Sequence, residues 1–277
     1  MEEAQSRIGV NRTPLSLGSP DGNKPMTIRV IDGSQRKAAK VAGLAYLVTF
    51  AVVVSVNFGI YARLMIGDNA ETARNILAHQ RLFRIGVAGD LFYCAGAIVL
   101  VAALYTILEP ISRGLALLAV CWRMVWGLMW LAMTVNLLDT LRLLTRADFS
   151  RSFDPERTQA LASLNLRENF DYYYVGLLFG ALASAVCGYL WSKSGYIPRP
   201  LAFFGVTSSV FCVACTFIFF IFPRFDKIVN LWWFDTPMGL FDTALSVWFL
   251  WKGLKPPAIA ESVSMSGEVL AMRTGNQ

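Results

Sequence analysis

Two charged residues lie deep within long apolar segments of this sequence. They are Arg123 and Asp242. An ionisable side chain inside a membrane is costly and often functional. With a rise of about 1.5 Å per helical residue, both lie roughly 16 Å from the same membrane face, near the midplane. Because an opposite charge lowers the cost of burial, we predict that they pair or share a small network. The pair would either fix helix packing or take part in ligand or proton binding.

Four more polar residues fall nearer the opposite membrane face. Counted along the helices, Asn57 and Asp90 lie roughly 25 Å from the face where the first segment begins. Asn136 and Asp139 end the third apolar segment on that same side. We predict a polar cavity lined by these four side chains that opens toward the two long connections of the chain. The alternative is that they form interhelical hydrogen bonds or extend to the membrane surface.

Three tryptophans recur every fourth residue beside the buried arginine. Trp122, Trp126 and Trp130 therefore form one stripe on a helix. Packing or contact with lipid is the simpler interpretation of such a stripe. A site for a cationic ligand above the indole faces is the other.

Motifs for catalysis are largely missing from the sequence. His79 is its single histidine, and neither a zinc-protease HExxH nor a GxSxG motif occurs. Cys212 and Cys215 have a redox spacing, but an apolar helix interior suppresses thiolate formation. We predict no cofactor, no metal site and no nucleotide-driven pump, and a non-enzymatic function is favoured.

The composition is that of a membrane protein. The chain has 277 residues, of which 55% are hydrophobic and 16% charged, with a mean hydropathy of +0.48. Its net charge is +6. The basic residues stand in tails and loops beside apolar segments, so membrane lipids are the expected partners rather than nucleic acid. A small-molecule ligand is compatible with this pattern, and the oligomeric state is not indicated.

Six apolar segments predict an all-α, polytopic membrane helix bundle. They cover residues 41–62, 85–107, 114–138, 172–191, 201–222 and 238–251, and residues 231–234 could lengthen the last. The six-helix domain spans residues 36–255. We predict disordered tails at residues 1–35 and 256–277, which are polar.

Each of the two long connections has a pattern typical of a short surface helix. The first covers residues 69–82, with Asn69 as its N-cap. In the second, Asp154 would be the N-cap and Pro155 the first helical residue. These two helices would lie on one face and could cap the bundle, or they could be solvated connectors.

Orientation is predicted from the start of the first segment. Arg36, Lys37 and Lys40 stand directly before it, whereas basic residues over the whole chain divide almost evenly between the two faces. Because positive charge at the first helix favours retention inside, we expect both termini to be cytoplasmic in an integral, multi-pass protein of the cytoplasmic membrane.

The connection between the fourth and fifth segments has a distinctive sequence, GYLWSKSGYIPR, at residues 188–199. Lys193 is too polar for hydrocarbon and places the connection at the membrane surface. Gly195 permits the positive φ of a tight turn. We predict a hairpin here, with Trp191 and Tyr196 in the headgroup layer.

This hairpin resembles the signature of the bacterial membrane family catalogued as domain of unknown function 4386. Five shorter motifs resemble the same family in the same order: AGLAYL (42–47), LFRIGVAGD (82–90), LYTILEP (104–110), LALLAVCWR (115–123) and VWFLWKG (247–253). The resemblance implies the fold and the membrane location. It carries no established activity and no known catalytic residues.

Three functional classes follow from these observations. A non-catalytic structural or accessory membrane protein would use the buried charges for packing alone. The small number of polar residues within the apolar segments favours this class. A small-molecule or ion carrier, or a ligand-binding protein, needs a cavity around Arg123, Asp242 and Asp90. An intramembrane enzyme needs His79, Asp90 and Asp139 to converge on one pocket.

Overall fold

A computed structural model describes residues 31–145, 155–222 and 232–255, and these residues form helices without any strand. We number seven helices along the chain: α1 (Gly33–Leu64), α2 (Asn69–Ala78), α3 (Gln80–Leu108), α4 (Arg113–Thr145), α5 (Pro155–Ser194), α6 (Arg199–Ile221) and α7 (Trp232–Trp251). Five of them, α1 and α3 to α6, are long and apolar enough to cross a membrane. The chain is therefore an all-α protein with the helices of a multi-pass membrane protein.

The six long helices alternate in direction along the chain, so the bundle has two distinct ends. We call one the hairpin end, because it holds the α3–α4 and α5–α6 turns together with the start of α1 and the end of α7. The other is the long-loop end, where α2 and the start of α5 lie. Helix α4 packs on α3 and α5, and α1 packs on α3 and α7. Helix α6 closes the bundle against α5 and α7.

Helix α1 begins with a reciprocal cap at the hairpin end. The Asp32 carboxylate accepts hydrogen bonds from the Ser34 hydroxyl (2.7 Å) and the Gly33 N–H (2.6 Å), which hold its pKa below the ordinary value. The Gln35 side chain accepts from the Asp32 N–H at 3.1 Å. This capping box makes residues 33–35 helical, although the sequence placed them in the predicted tail. The rest of both predicted tails, residues 1–30 and 256–277, lies outside the described residues.

The predicted hairpin joins α5 to α6, with Gly195 at φ +69°. The expected position of its aromatic residues is wrong. Trp191 is fully buried against Phe249, with ring centroids 5.5 Å apart, and Tyr196 is 2% exposed. The turn folds back over the helix ends, and Gln35 donates a 3.4 Å hydrogen bond to the Tyr196 hydroxyl. These rings are thus a core of the hairpin end and not part of a headgroup belt.

The two predicted surface helices differ from the structure in their bounds. Helix α2 is capped by Asp68, not Asn69, through a 2.8 Å hydrogen bond from the Glu71 N–H, because Asp68 is the residue with extended backbone there. The second predicted helix is the first part of α5, which runs unbroken for 40 residues. No glycine or proline interrupts residues 156–175, so the helix continues without a break. The Asp154 cap lies outside the described residues.

Helices α2 and α5 still cover the long-loop end of the bundle. Ile76 of α2 is fully buried, in one cluster with Phe83, Leu137 and Leu141. Leu166, in the first part of α5, packs against the same cluster. Both segments thus contribute side chains to one apolar cluster at the long-loop end of the bundle.

Candidate ligand-binding cavity

A cavity of about 330 Å³ lies in the long-loop half of the bundle. Five helices line it: α1, α3, α4, α5 and α7. Its walls extend from Met65 and Leu166 at the long-loop end to Arg123 and Ser246, where the close packing of the hairpin end begins. Binding sites for small molecules begin at about 300 Å³, so the cavity is large enough for a small ligand.

The ion pair predicted from the sequence forms the floor of the cavity. Nη1 of Arg123 lies 3.9 Å from Oδ2 of Asp242, and both residues line the cavity. The two side chains are 10% and 19% exposed. The two predicted residues are therefore close in space, and their charges meet about a third of the way along α4 and halfway along α7.

Other contacts of the Arg123 guanidinium come from α1 and α5. Its Nη2 donates to the Tyr46 hydroxyl at 2.5 Å and to the Ser184 hydroxyl at 3.3 Å. Its carbon atom Cζ lies 5.5 Å from the centre of the Tyr46 ring. Two atoms of the pair, Nε of Arg123 and Oδ1 of Asp242, are buried without a hydrogen-bond partner among the described residues. The floor thus holds one donor and one acceptor that the described protein leaves unused.

Four aromatic rings form the wall above this floor. Trp130 packs on Tyr93 with ring centroids 4.5 Å apart and on Trp126 at 5.4 Å. Tyr173 of α5 completes the group, 5.5 Å from Trp126 and 5.9 Å from Trp130. We call Tyr93, Trp126, Trp130 and Tyr173 the aromatic wall, and all four line the cavity.

Two glycines of α5 make room for this wall. A Cβ atom on Gly176 would lie 2.7 Å from the Trp126 indole, and one on Gly180 would lie 3.3 Å from it. The residues are four apart and therefore lie on one helix face. Small residues at this spacing allow close approach in membrane helices, and here they admit an indole ring.

The predicted tryptophan stripe is divided by the structure, because Trp126 and Trp130 line the cavity and Trp122 does not.

Two further carboxylates accept hydrogen bonds from aromatic residues in this region. Asp235 of α7 lines the cavity and accepts a short hydrogen bond from the Tyr173 hydroxyl. Asp90 of α3 is 1% exposed and accepts from the Tyr61 hydroxyl at 2.6 Å and from the Trp130 indole N–H at 3.3 Å. Asp90 therefore lies behind the aromatic wall and not at the cavity surface.

The predicted cavity of four polar residues is only partly right. Asn57 lines the cavity, although its side-chain amide donates to the Val53 carbonyl at 3.0 Å. The side chains of Asn136 and Asp139 point elsewhere. Helical periodicity turns Asn136 toward α5, where it donates to the Asn165 carbonyl (2.6 Å) and the Asn169 side chain (2.9 Å).

Asp139 is half exposed and pairs with Arg142 of its own helix at 2.8 Å. His79 is exposed at the end of α2, with its Nδ1 atom 3.1 Å from the Asn75 carbonyl oxygen. Asp90 is buried within the bundle. The three residues that an intramembrane enzyme would require therefore do not converge.

The first helix widens where it meets the cavity. Residues Asn57–Tyr61 form a π-helical turn, and Asn57, Phe58 and Tyr61 all line the cavity. The added residue per turn rotates Tyr61 into the bundle, where its ring lies over Gly86 and its hydroxyl reaches Asp90. Single π turns are frequent at functional sites in helices.

Comparison with known protein families gives a match. A family model described as "Domain of unknown function (DUF4386)" matches residues 41–253. The chain belongs to the DUF4386 family. Comparisons with curated proteins and with solved structures give no match. The matched region of this DUF4386 protein includes all of the cavity residues named above.

Sequence reasoning missed several residues of the DUF4386 cavity. Asp235 lies outside the last predicted apolar segment, residues 238–251, whereas α7 begins at Trp232. The apolar run LWWF at residues 231–234, a predicted extension of this segment, is the signal that includes it. Tyr46, Tyr61 and Tyr93 each lie within long apolar runs, where only the tertiary structure shows which helix face is buried.

Proposed function

We propose that this DUF4386 protein is a multi-pass membrane protein that binds a small amphipathic molecule in the cavity of its long-loop half. The observation that carries the proposal is the continuity of the cavity with the buried Arg123–Asp242 pair. Such a cavity distinguishes a ligand-binding protein or carrier from an accessory protein with a fully packed interior. We therefore favour ligand binding over the structural role that the sequence alone suggested.

The lining supports a ligand with an apolar body and one polar group. Apolar residues of α1 and α7 and the aromatic wall form most of the surface. Charged groups are few in this lining: the Arg123–Asp242 pair at the floor and the Asp235 carboxylate beside the aromatic wall. Ligand sites commonly have this combination of apolar walls and a few placed polar groups.

Entry from the lipid side agrees with the exposure of the rim. Phe50, Phe58 and Phe170 line the cavity and are 43%, 54% and 60% exposed. In a bilayer, such apolar side chains contact acyl chains. An amphipathic molecule dissolved in the membrane would then reach the cavity without crossing a polar barrier.

The membrane arrangement is part of the same proposal. Helix α7 has 20 residues, which span about 30 Å and match the hydrocarbon core. Trp233 and Trp251, near its two ends, are 76% and 84% exposed, as expected for rings at the two membrane interfaces. We infer six spans, with α2 and the start of α5 as surface elements and both termini at the cytoplasmic face of the cytoplasmic membrane. Arg36, Lys37 and Lys40 support this orientation.

The structural alternative rests on the ion pair itself. Arg123 contacts α1, α5 and α7 through Tyr46, Ser184 and Asp242, and it would hold these helices together even in an empty bundle. On that account the cavity is a packing defect without an occupant. The two accounts differ in whether small molecules enter the cavity and stay there.

Thiol labelling separates the two accounts. The five native cysteines are replaced, and single cysteines are placed at Ala97 and Thr243, which line the cavity. Matched controls are placed at Ala181 and Ser209, which are fully buried outside it. The purified variants are treated with N-ethylmaleimide in a neutral detergent, with and without amphiphiles that carry an octyl chain.

Ligand binding predicts labelling at residues 97 and 243 that is at least about tenfold faster than at the controls. At least one amphiphile should slow it in a saturable manner. Equal labelling rates at all four positions, or cavity labelling that no amphiphile slows, would refute the proposed function.

A further inference from the structure

We infer that the polar group of the ligand is a cation, an ammonium group carried on an apolar body. This inference rests on the proposed function and specifies the class of molecule. The ammonium would lie between the Asp235 carboxylate and the faces of Trp126 and Tyr173. The apolar body would extend toward the exposed rim at Phe50 and Phe58.

The balance of charge around the cavity is the first argument. Among the described residues, three charged side chains line it: Arg123, Asp235 and Asp242. The arginine is matched by Asp242 at 3.9 Å, whereas the described partner of Asp235 is the neutral phenol of Tyr173. One carboxylate in the lining therefore has no cationic partner within the described chain. A cationic ligand would provide it, and an anionic ligand would add to the negative charge.

The aromatic wall is the second argument. Tryptophan and tyrosine faces attract cations within about 6 Å of the ring centre, most strongly where water is excluded. Trp126, Trp130 and Tyr173 come together in this wall within 6 Å of one another. All three line the cavity, next to the carboxylate that Tyr173 contacts. A carboxylate beside aromatic ring faces binds an ammonium group through its negative charge and through cation–π contacts.

The use of the hydrogen-bond donors is the third argument. The Trp126 indole N–H donates to the Tyr93 hydroxyl at 2.8 Å, and the Trp130 N–H donates to Asp90. The Tyr173 hydroxyl donates to Asp235. An anion would need donors, and the donors of Trp126, Trp130 and Tyr173 are already engaged with protein acceptors. The ring faces and the carboxylate remain, and both favour positive charge.

Three probes with the same octyl chain test the inference: octyltrimethylammonium, 1-octanol and octyl sulfate. Their binding is measured as protection of the Thr243→Cys protein from N-ethylmaleimide and, independently, as the rise in unfolding temperature. The same measurements are made with D235N added. The matched control is D139N, since Asp139 is a half-exposed carboxylate outside the cavity.

We expect half-maximal protection by octyltrimethylammonium at a concentration at least about tenfold lower than by octyl sulfate. D235N should remove most of this preference, and D139N should leave it unchanged. Equal protection by the three probes, or preference for octyl sulfate, would overturn the cationic assignment while the proposed function stands. A preference that survives in D235N would also overturn it.

Protection by none of the probes refutes the proposed function itself, so the two failures are distinct. The comparison of the three probes on the parent protein needs no carboxylate variant. It therefore decides the question even where D235N does not fold.

Discussion

The two halves of the bundle consist of the same helices, but the hairpin end is closely packed and the long-loop half contains a cavity. At the hairpin end, α1 and α7 touch so closely that a Cβ atom on Gly43 would lie 2.9 Å from the Ser246 carbonyl oxygen. Toward the long-loop end, a Cβ atom on Gly239 of α7 would meet only the Phe50 ring, at 4.0 Å. One helix pair is thus closed at one end and separated at the other.

The hairpin end is held by small residues and buried rings. Ala39 and Ala42 of α1, Ala116 of α4 and Ala202 of α6 have no exposed surface, and neither has Trp191. In lipid, close packing is the main source of helix association, because burial of apolar surface provides little driving force there. We infer that the hairpin end stabilises the bundle, which leaves the long-loop half free to keep a cavity.

Loss of the Arg123 charge should have the largest effect on stability, because the ion pair lies where the two halves meet. R123L leaves the Asp242 carboxylate buried without its cation, and breaking a buried pair costs about 3–5 kcal/mol. Asp242 then keeps no basic neighbour among the described residues. The measurement is the free energy of unfolding of the purified protein in mixed micelles.

The double variant R123L/D242L is the control for that experiment. Replacement of both charges by apolar side chains should recover most of the lost stability, since an uncharged pair needs no compensation. A double variant as unstable as R123L would show that the remaining contacts of Arg123, and not charge balance, hold the helices together.

Two glycine substitutions compare the halves directly. G43L forces a side chain into the α1–α7 contact and should destabilise the protein by about 1–3 kcal/mol, as overpacking does. G239L places the same side chain in the cavity and should be neutral or stabilise by up to about 1 kcal/mol, because leucine has the higher helix propensity. Equal losses in the same unfolding assay would show that the two halves are packed alike.

A smaller effect is expected at the π turn. Tyr61→Phe removes the hydroxyl that donates to Asp90 at 2.6 Å and should cost about 1 kcal/mol, near the upper values for hydrogen bonds between membrane helices. Tyr105→Phe is the control. Tyr105 lies on α3, as Asp90 does, but Asp90 accepts its tyrosine hydrogen bond from Tyr61 and not from Tyr105. A Tyr61→Phe protein as stable as the control variant would mean that the π turn is not held through Asp90.

Much of the fold could be predicted from the sequence, because hydrophobic segment length and charge determine membrane helices. The hairpin at residues 188–199 and the pairing of Arg123 with Asp242 followed from turn residues and from depth along the helices. The burial of Trp191 and Tyr196 could not be foreseen, since a tryptophan near a helix end suits both a headgroup layer and a core.

The cavity was harder to predict than the fold. Its existence depends on Gly176 and Gly180, which admit the Trp126 indole, and on the separation of α1 from α7 near Gly239. The four-residue spacing of Gly176 and Gly180 predicts a close contact but not its partner, and the separation near Gly239 has no periodic signal. Asp139 pairs with Arg142 and does not line it, because the position of a residue along an apolar segment predicts its depth and not the direction of its side chain.

Affinity for octyltrimethylammonium in G239L and in G127L is the most direct test of a cavity that binds ligand. Both variants replace a helix glycine whose Cβ position has open space, and only Gly239 lines the cavity. Titration should give wild-type affinity for G127L and a loss of at least about tenfold for G239L, because the leucine side chain occupies the ligand volume. Equal affinity in the two variants would contradict the account, since the probe would then bind elsewhere on the protein.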